Sequence, residues 1–425
     1  RLITCRMGMS RGAKQSRRRR KDPSWALCSL STTMHISRRK TRQIQVGAVK
    51  IGGDAAVSVQ SMCSTDTRDV PATVEQIRQL ESAGCELIRV AVPDEEAAAA
   101  LPKIKAAMTV PLIADIHFDH RLALKAAEIV DCVRINPGNI GAWWKVEEVI
   151  KAVNARGIPL RVGVNGGSLE RPLLDKYGWP SPEALAESAL NAVHALEDVG
   201  FTNLKVSLKA SDVHHAIDAY WLFAHQSNYP LHIGITEAGT AMTGSVKSSI
   251  GLGYLLSQGI GDTLRVSLAA DPVEEVKVGF EILKSLELRH RGINVIACPT
   301  CGRVEIDVVR MANELEKKLN HIKTPLNVSV LGCVVNGIGE GKEADIGIAG
   351  GEGKGILFKK GKLVRKVPME ELMDTLIQEV ELLAKEKEAE SSGEPVSPSS
   401  DGWEALPGQP DGRTGKEIPV LSNKR

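Results

Sequence analysis

The 425-residue chain predicts an α/β fold: a TIM-type (β/α)8 barrel joined to a small C-terminal α/β domain. Three observations carry this. Eight short apolar runs alternate with helix-length stretches between residues 57 and 288, the rhythm of a parallel barrel. Within those runs polar and apolar residues alternate, so each strand shows two unlike faces. Beyond residue 289 two cysteine motifs close strand-like runs and a glycine-rich stretch follows, a different pattern with its own small core.

Taken in order, residues 1–36 are Arg- and Ser-rich and aperiodic. The run RRRRK (17–21) has the composition of a nucleic-acid patch or an organelle transit peptide, but we read 1–36 as a disordered basic leader, non-native or upstream of a start at Met34. Residues 37–288 form the barrel. Its strands are VSVQS (57–61), LIRVAV (87–92), PLIADIH (111–117), CVRIN (132–136), LRVGVN (160–165), LKVSL (204–208), LHIGIT (231–236) and LRVSL (264–268). Residues 289–387 form the second domain. INVIACPTCGR opens it, a helix covers 304–320, and LNVSVLGC (326–333), ADIGIAGG (344–351) and GILFKKGKLV (355–364) supply strands before a last helix at 368–387. Residues 388–425, rich in Pro, Ser, Gly and Glu, cannot bury a core and are expected to be disordered.

Composition narrows the function. Hydrophobic residues make up 43% of the chain but aromatics only 4%, so the core must be aliphatic. No apolar run approaches the ~18 residues of a membrane-spanning helix. The formal charge of +2 hides an asymmetry: residues 1–43 carry 13 Lys/Arg against one acid, and the other 382 carry 41 against 51. The folded part is therefore acidic, which excludes a general nucleic-acid surface. Of the eight cysteines, Cys5, Cys28, Cys63, Cys85 and Cys132 show no framework spacing. That points to a reducing, cytoplasmic setting, with Cys85 and Cys132 as small core hydrophobes.

The strand alternation carries the next step. In CVRIN, Val133 and Ile135 oppose Arg134 and Asn136; in LRVGVN, Leu160, Val162 and Val164 oppose Arg161, Gly163 and Asn165. LKVSL sets Lys205 and Ser207, and LRVSL sets Arg265 and Ser267, against apolar neighbours. The apolar sets suit the helix layer, so the polar sets face the barrel interior. Barrel interiors are ordinarily filled with Val, Ile and Leu; this one would hold Arg89, Arg134, Arg161, Lys205, His232 and Arg265. Buried cations are costly unless paired or ligand-bound. Asp115 and Glu237 are the best interior acids, too few for the set, so a polyanionic ligand such as a diphosphate is expected.

Cys298 and Cys301 in CPTCGR and Cys333 in GCVVNGIGE supply three thiolates. Structural zinc closes with four N or S ligands, and disulfides use cysteines in pairs. A 4Fe–4S cluster can be held by three thiolates while one iron keeps a weaker, replaceable ligand, and Glu340 suits that corner. A zinc cage completed by His321, the only histidine between the motifs, and a C-x-x-C redox pair are the other readings. At the mouth, Glu237 in TEAG (236–239) could donate or accept a proton or orient a cation. Asn136, Asn139 and Asn165 offer neutral hydrogen bonds, and Asp66, Arg68 and His117 lie in the same strand–helix loops; each Asn or Asp could equally be a loop cap.

The segments QSMCSTDTRD, RVAVPD, ADIHFD, RINPGNIG, HIGITEAG, CPTCGR and GCVVNGIGEGKEADIGIAGG closely resemble the bacterial 4-hydroxy-3-methylbut-2-enyl diphosphate synthase family of the non-mevalonate isoprenoid pathway. The resemblance runs from about Arg38 to about Leu383. It implies a barrel joined to a 4Fe–4S domain, in a homodimer where one subunit's cluster domain covers the other's barrel mouth. It implies Cys298, Cys301, Cys333 and Glu340 as cluster ligands, Glu237 as catalytic acid and Glu340 as the ligand that substrate displaces. The barrel cations Arg89, Arg134, Arg161, Lys205 and Arg265, with Asn139, Asn165, Ser207 and Ser267, would hold 2-C-methyl-D-erythritol 2,4-cyclodiphosphate. The implied reaction is a two-electron reductive ring opening with loss of water, the electrons coming singly from ferredoxin or flavodoxin.

Three departures accompany the resemblance. Ile338 stands where the family often has proline, Cys63 stands in a segment that more usually reads MTNTDTRD, and the large domain inserted in plant relatives is absent. The alternative function is a non-redox barrel transferase of the pterin-synthase type with a structural zinc module.

Overall fold

The computed structural model describes residues 36–333, 341–351 and 353–392. All eight predicted barrel runs contain a strand. After a short hairpin, β1 (Ile44–Val46) and β2 (Val49–Ile51), the barrel strands are β3 (Ser58–Met62), β4 (Leu87–Ala91), β5 (Leu112–Asp115), β6 (Cys132–Ile135), β7 (Leu160–Asn165), β8 (Leu204–Lys209), β9 (His232–Ile233) and β10 (Thr263–Leu264). Their order is β8-β7-β6-β5-β4-β3-β10-β9, and each neighbouring pair is parallel. The sheet's two ends meet through a parallel bridge between Val206 and Leu231, which closes the cylinder.

The helices between strands begin on side-chain caps. Asp69, Asp94, Asp119, Asp212 and Asp271 each accept a hydrogen bond from a backbone N–H of the first turn, a contact whose loss typically costs about 1 kcal/mol. These caps lie in loops that follow barrel strands, so much of the acid near the mouth is committed to starting helices. The outward strand residues behave as the alternation predicts: Ile88, Val90, Ala114, Val133, Ile135, Val162, Val164, Val206 and Leu264 join one aliphatic cluster with the helices. Each fully buried Leu, Ile or Val there contributes roughly 1.5–3 kcal/mol.

The hairpin was not anticipated from the sequence. Ile44, Val46 and Ile51 pack with the inward-facing Leu87, Ile113 and Cys132, plugging the N-terminal end of the barrel with apolar side chains. The alternation IQVGAVKI across Gly47, whose φ is +54°, is the signal that could have found it. The strap before it is anchored by Arg38, which pairs with buried Asp262 at 2.9 Å.

The second domain is a five-stranded sheet ordered β11 (Ile293–Ala297), β12 (Leu326–Leu331), β13 (Ile346–Gly351), β14 (Lys354–Lys359) and β15 (Lys362–Pro368). The first three strands are parallel and the last two antiparallel. Val328, Val330, Ile346, Ile348 and Leu357 form its core with Leu315 of the helix Val308–Lys318 and with Leu376 and Val380 of the helix Leu372–Ser392. This last helix runs five residues past the expected boundary at 387, because Lys387 pairs with Asp345 at 3.0 Å and Glu388 accepts from Thr324. The rest of the expected tail and residues 1–35 of the leader lie outside the described residues.

Candidate active site

Inside the barrel, chemistry changes with height. Leu87, Ile113 and Cys132 form the apolar floor. Two residues further along each strand, and so on the same inward face, come Arg89, Asp115 and Arg134. Strand register then aligns Asp115 with Arg134, Arg134 with Arg161 and Arg161 with Lys205, a row of ionisable side chains across β5 to β8. The row is closed to solvent: Arg161 and Lys205 are 1% and 0% exposed.

Carboxylates answer only part of this charge. Asp115 accepts from Arg134 at 2.9 Å and lies 3.7 Å from Arg89. Glu275, reaching in from the helix Pro272–Ser285, pairs with Arg265 at 3.3 Å and accepts from Ser61 at 3.0 Å. Arg161 donates to Ser207 from Nε and Nη2 at 3.2 and 3.0 Å. Arg134 Nε, Arg161 Nη1, Lys205 Nζ, both ring nitrogens of His232 and both side-chain heteroatoms of Gln60 are buried without a partner. Buried polar groups are rarely left so. Their concentration in one barrel marks a place for a ligand or for water.

Electrostatics agrees. Burial draws Arg89 down to about 10 although Asp115 opposes it, and draws Lys205 down to about 8. Burial, reinforced by neighbouring cations, lowers Arg161, Lys209 and His232 much further. Burial works against ionisation of Asp115, yet Arg89 and Arg134 outweigh it and hold the carboxyl well below its usual range.

Two glycines make room for these side chains. A Cβ on Gly163 would stand within 2.5–3.0 Å of the Arg134 guanidinium, and one on Gly234 would stand 3.2 Å from Lys209 Nζ. Sequence reasoning missed Gln60, Met62 and Lys209 on the inward face and the buried Glu275 beside Arg265. Lys209 follows Lys205 and Ser207 at the inward spacing and was legible as the next member; Glu275 sits on a helix, where strand alternation says nothing.

In the second domain the cysteine motifs follow neighbouring parallel strands. Ala297, the last residue of β11, pairs with Val330 of β12, so Cys298 emerges beside Leu331, two residues before Cys333. The Gly332 N–H donates to Cys298 Sγ at 3.0 Å, and a Cβ on Gly332 would come 3.4 Å from that sulfur and 2.9 Å from Val304. Cys301 is exposed, Cys298 half-buried and Cys333 buried, and none is in a disulfide. Three thiols with a backbone N–H on one of them match the donor set of an iron–sulfur site. Among the described residues no three His, Cys, Asp or Glu side chains gather into a metal cage. Glu340, the expected fourth ligand, lies outside the described residues. His321 precedes β12, whereas Cys333 follows it, and His321 lies 3.9 Å from Glu381, outside any grouping with the cysteines among the described residues.

The GcpE TIM-barrel domain matches residues 41–280, and the GcpE protein C-terminal domain matches residues 294–382. The chain belongs to the GcpE family. Among curated relatives, the 4-hydroxy-3-methylbut-2-en-1-yl diphosphate synthase (flavodoxin) of Geobacter sulfurreducens is 59% identical over 349 residues, 82% of this chain and 99% of that protein. Proteins of the same name from Geobacillus thermodenitrificans and Symbiobacterium thermophilum are 56% and 54% identical, covering 85% and 83% of this chain and 99% and 96% of their own lengths.

In this GcpE chain the remaining predicted residues divide by surroundings. Ser207 is buried against Arg161, while Asn139, Asn165 and Ser267 are half-buried at the strand ends, Asn165 in register with Lys209. Asn136 caps the turn Pro137–Ile140, accepting from Gly138 N–H and donating to Ser168. Arg68 is exposed and clasps Asp66 at 2.6 Å. Glu237 is exposed and adopts a left-handed φ of +52°; the carboxylate that offsets Arg265 is Glu275 rather than Glu237. Cys63, directly after β3, is a free thiol that is buried in the core, and burial pushes it up to about 12.

Proposed function

We propose that this GcpE-family enzyme opens the ring of 2-C-methyl-D-erythritol 2,4-cyclodiphosphate reductively, with loss of water, to give 4-hydroxy-3-methylbut-2-enyl diphosphate. The observation that carries the reading is the uncompensated barrel interior: Arg89, Arg134, Arg161, Lys205, Lys209 and Arg265 face two carboxylates, Asp115 and Glu275. A diphosphate ester is the class of small molecule whose charge and acceptor number answer that excess. Arg89, Arg134, Arg161, Lys205 and Arg265 would bind its phosphoryl oxygens, and Asn139, Asn165, Ser207 and Ser267 would fix its orientation. The apolar floor beneath and the occluded cation row would limit the access of bulk water to a substrate bound there.

Cys298, Cys301, Cys333 and Glu340 would hold a 4Fe–4S cluster, and the Gly332 N–H on Cys298 is the contact that favours a thiolate there. When bound, the cluster would supply single electrons and a Lewis-acidic iron. Glu237 would handle the proton; its left-handed backbone stores strain of order 1 kcal/mol, which is characteristic of functional sites. Flavodoxin, named in the relatives above, is the donor we favour over ferredoxin. We place the enzyme in the bacterial cytoplasm, and no helix of the described residues is long and apolar enough to cross a membrane. A homodimer is supported by the helix Ala241–Ser257, which leaves Met242, Val246, Ile250 and Tyr254 exposed at four-residue spacing, a continuous apolar stripe.

The test is anaerobic purification, measurement of iron and sulfide per chain, and an assay of the cyclodiphosphate with a reductant. A zinc-only protein without turnover would sink the reading. Glu340→Ala should keep much of the iron and lose most turnover.

A further inference from the structure

Met62 ends β3, and its sulfur lies between two arginines. Sδ accepts from Arg89 Nε at 3.1 Å and Nη2 at 2.8 Å, and Arg265 Nη1 approaches it at 3.7 Å. The arrangement follows from topology, because β3 runs between β4, which carries Arg89, and β10, just before Arg265. On their outer sides the arginines meet carboxylates, Arg89 with Asp115 and Arg265 with Glu275. On their inner sides the two like charges face each other across the thioether. Guanidinium groups only donate, and a thioether only accepts. An apolar side chain here would fill the space but leave both guanidiniums without a fixed inner contact.

We propose that Met62 is a positioning residue for anion binding: its thioether holds the Arg89 and Arg265 guanidiniums apart and aimed, so that together they grip a diphosphate. The inference rests on the substrate reading above. Met62 acts through the two arginines and not on the reacting atoms, so its loss weakens anion binding and leaves the chemical step intact. Methionine suits the role because its sulfur is polarizable and its stem adapts to both neighbours.

The test compares Met62→Leu, which conserves volume and is well tolerated in packed sites, with Met62→Gln, which restores an acceptor. Two readouts are used on the full chain: the Kd of inorganic pyrophosphate by calorimetry, and KM and kcat for the cyclodiphosphate. Met62→Leu should raise both Kd and KM roughly three- to tenfold with kcat within about twofold, the scale of one lost hydrogen-bonding contact. Met62→Gln should bring them back toward wild type. A purely packing role gives the reverse order, with leucine neutral and glutamine harmful, and that order overturns the proposal. Wild type that binds pyrophosphate without turning over the cyclodiphosphate defeats the substrate reading alone, since the leucine–glutamine comparison still stands on Kd. Wild type that binds no pyrophosphate defeats the role of Met62 itself.

Discussion

The Arg134 guanidinium occupies the space where a side chain at position 163 would begin: a Cβ on Gly163 would lie 2.5 Å from Nε and 2.7 Å from Nη2. The backbone of Gly163 is not left-handed, so alanine is conformationally acceptable and only the arginine must yield. Gly163→Ala should therefore leave a folded barrel with Arg134 pushed off Asp115. The expected result is a rise of about tenfold in KM for the cyclodiphosphate, the scale of one charge-assisted contact. Steady-state kinetics beside a thermal melt checks it; an unchanged KM would mean that Arg134 does not contact substrate.

Asp115 is the shared counter-charge of Arg89 and Arg134. Asp115→Asn keeps the shape and removes the charge, leaving two buried guanidiniums uncompensated, a change of about 3–5 kcal/mol for a broken buried pair. The mutant should melt earlier, and added pyrophosphate should recover more stability in it than in wild type. The wild-type contribution is present above the ordinary carboxylate range. Because the folded carboxyl titrates below that range, it fades only in strong acid. Thermal melts between pH 5 and 8 should show no loss from this pair.

How much of this was legible beforehand follows from what strand alternation can report. Arg89, Arg134, Arg161 and Lys205 stand at inward positions fixed by a two-residue period, so their convergence could be read without coordinates. Glu275 could not, since a helical residue meets Arg265 only through tertiary packing. Asn136, which could have met a ligand or capped a loop, is a helix cap, because a polar side chain just before a helix has a backbone use that pattern alone does not separate from binding. Cys63 follows β3 among mouth residues, and its burial could not be read from that place, because only tertiary packing shows that its side chain joins the core.

Lys205 gives a pH signature. Burial lowers its amine from 10.5 to about 8, so between those values the unfolded chain holds a proton that the folded chain has released. Stability of the ligand-free protein should therefore rise with pH across that window, by up to about 3 kcal/mol from this residue. Lys209, lowered further, adds to the same trend at lower pH. Lys205→Met should flatten the rise between pH 8 and 10, measured by urea unfolding. A wild-type curve that is flat or falling there would show that Lys205 has a buried partner.

The homodimer proposed above would place its face on the apolar stripe of the helix Ala241–Ser257. Ile250 lies at its centre, 59% exposed. Ile250→Asp places a charge where a partner's apolar surface would seat, and light scattering should report a monomer. A dimer that persists would move the interface elsewhere, and a wild type that is already a monomer would defeat the proposed homodimer.

The cysteines should separate by reactivity. Burial pushes the thiols of Cys63 and Cys85 to about 12 and raises that of Cys132, so none of the three offers a thiolate at neutral pH. Cys301 is exposed and Cys298 half-buried beside the Gly332 N–H. In protein stripped of metal, iodoacetamide should label Cys301 first and Cys298 next, with Cys63, Cys85 and Cys132 labelled only after unfolding. Reconstitution with iron and sulfide should then protect Cys298, Cys301 and Cys333 together, because a thiolate bound to iron is no longer a free nucleophile. Peptide mass spectrometry reads each site separately. Protection of Cys298 and Cys301 without Cys333 would mean that Cys333 is a core thiol and that the C-x-x-C pair holds metal without it.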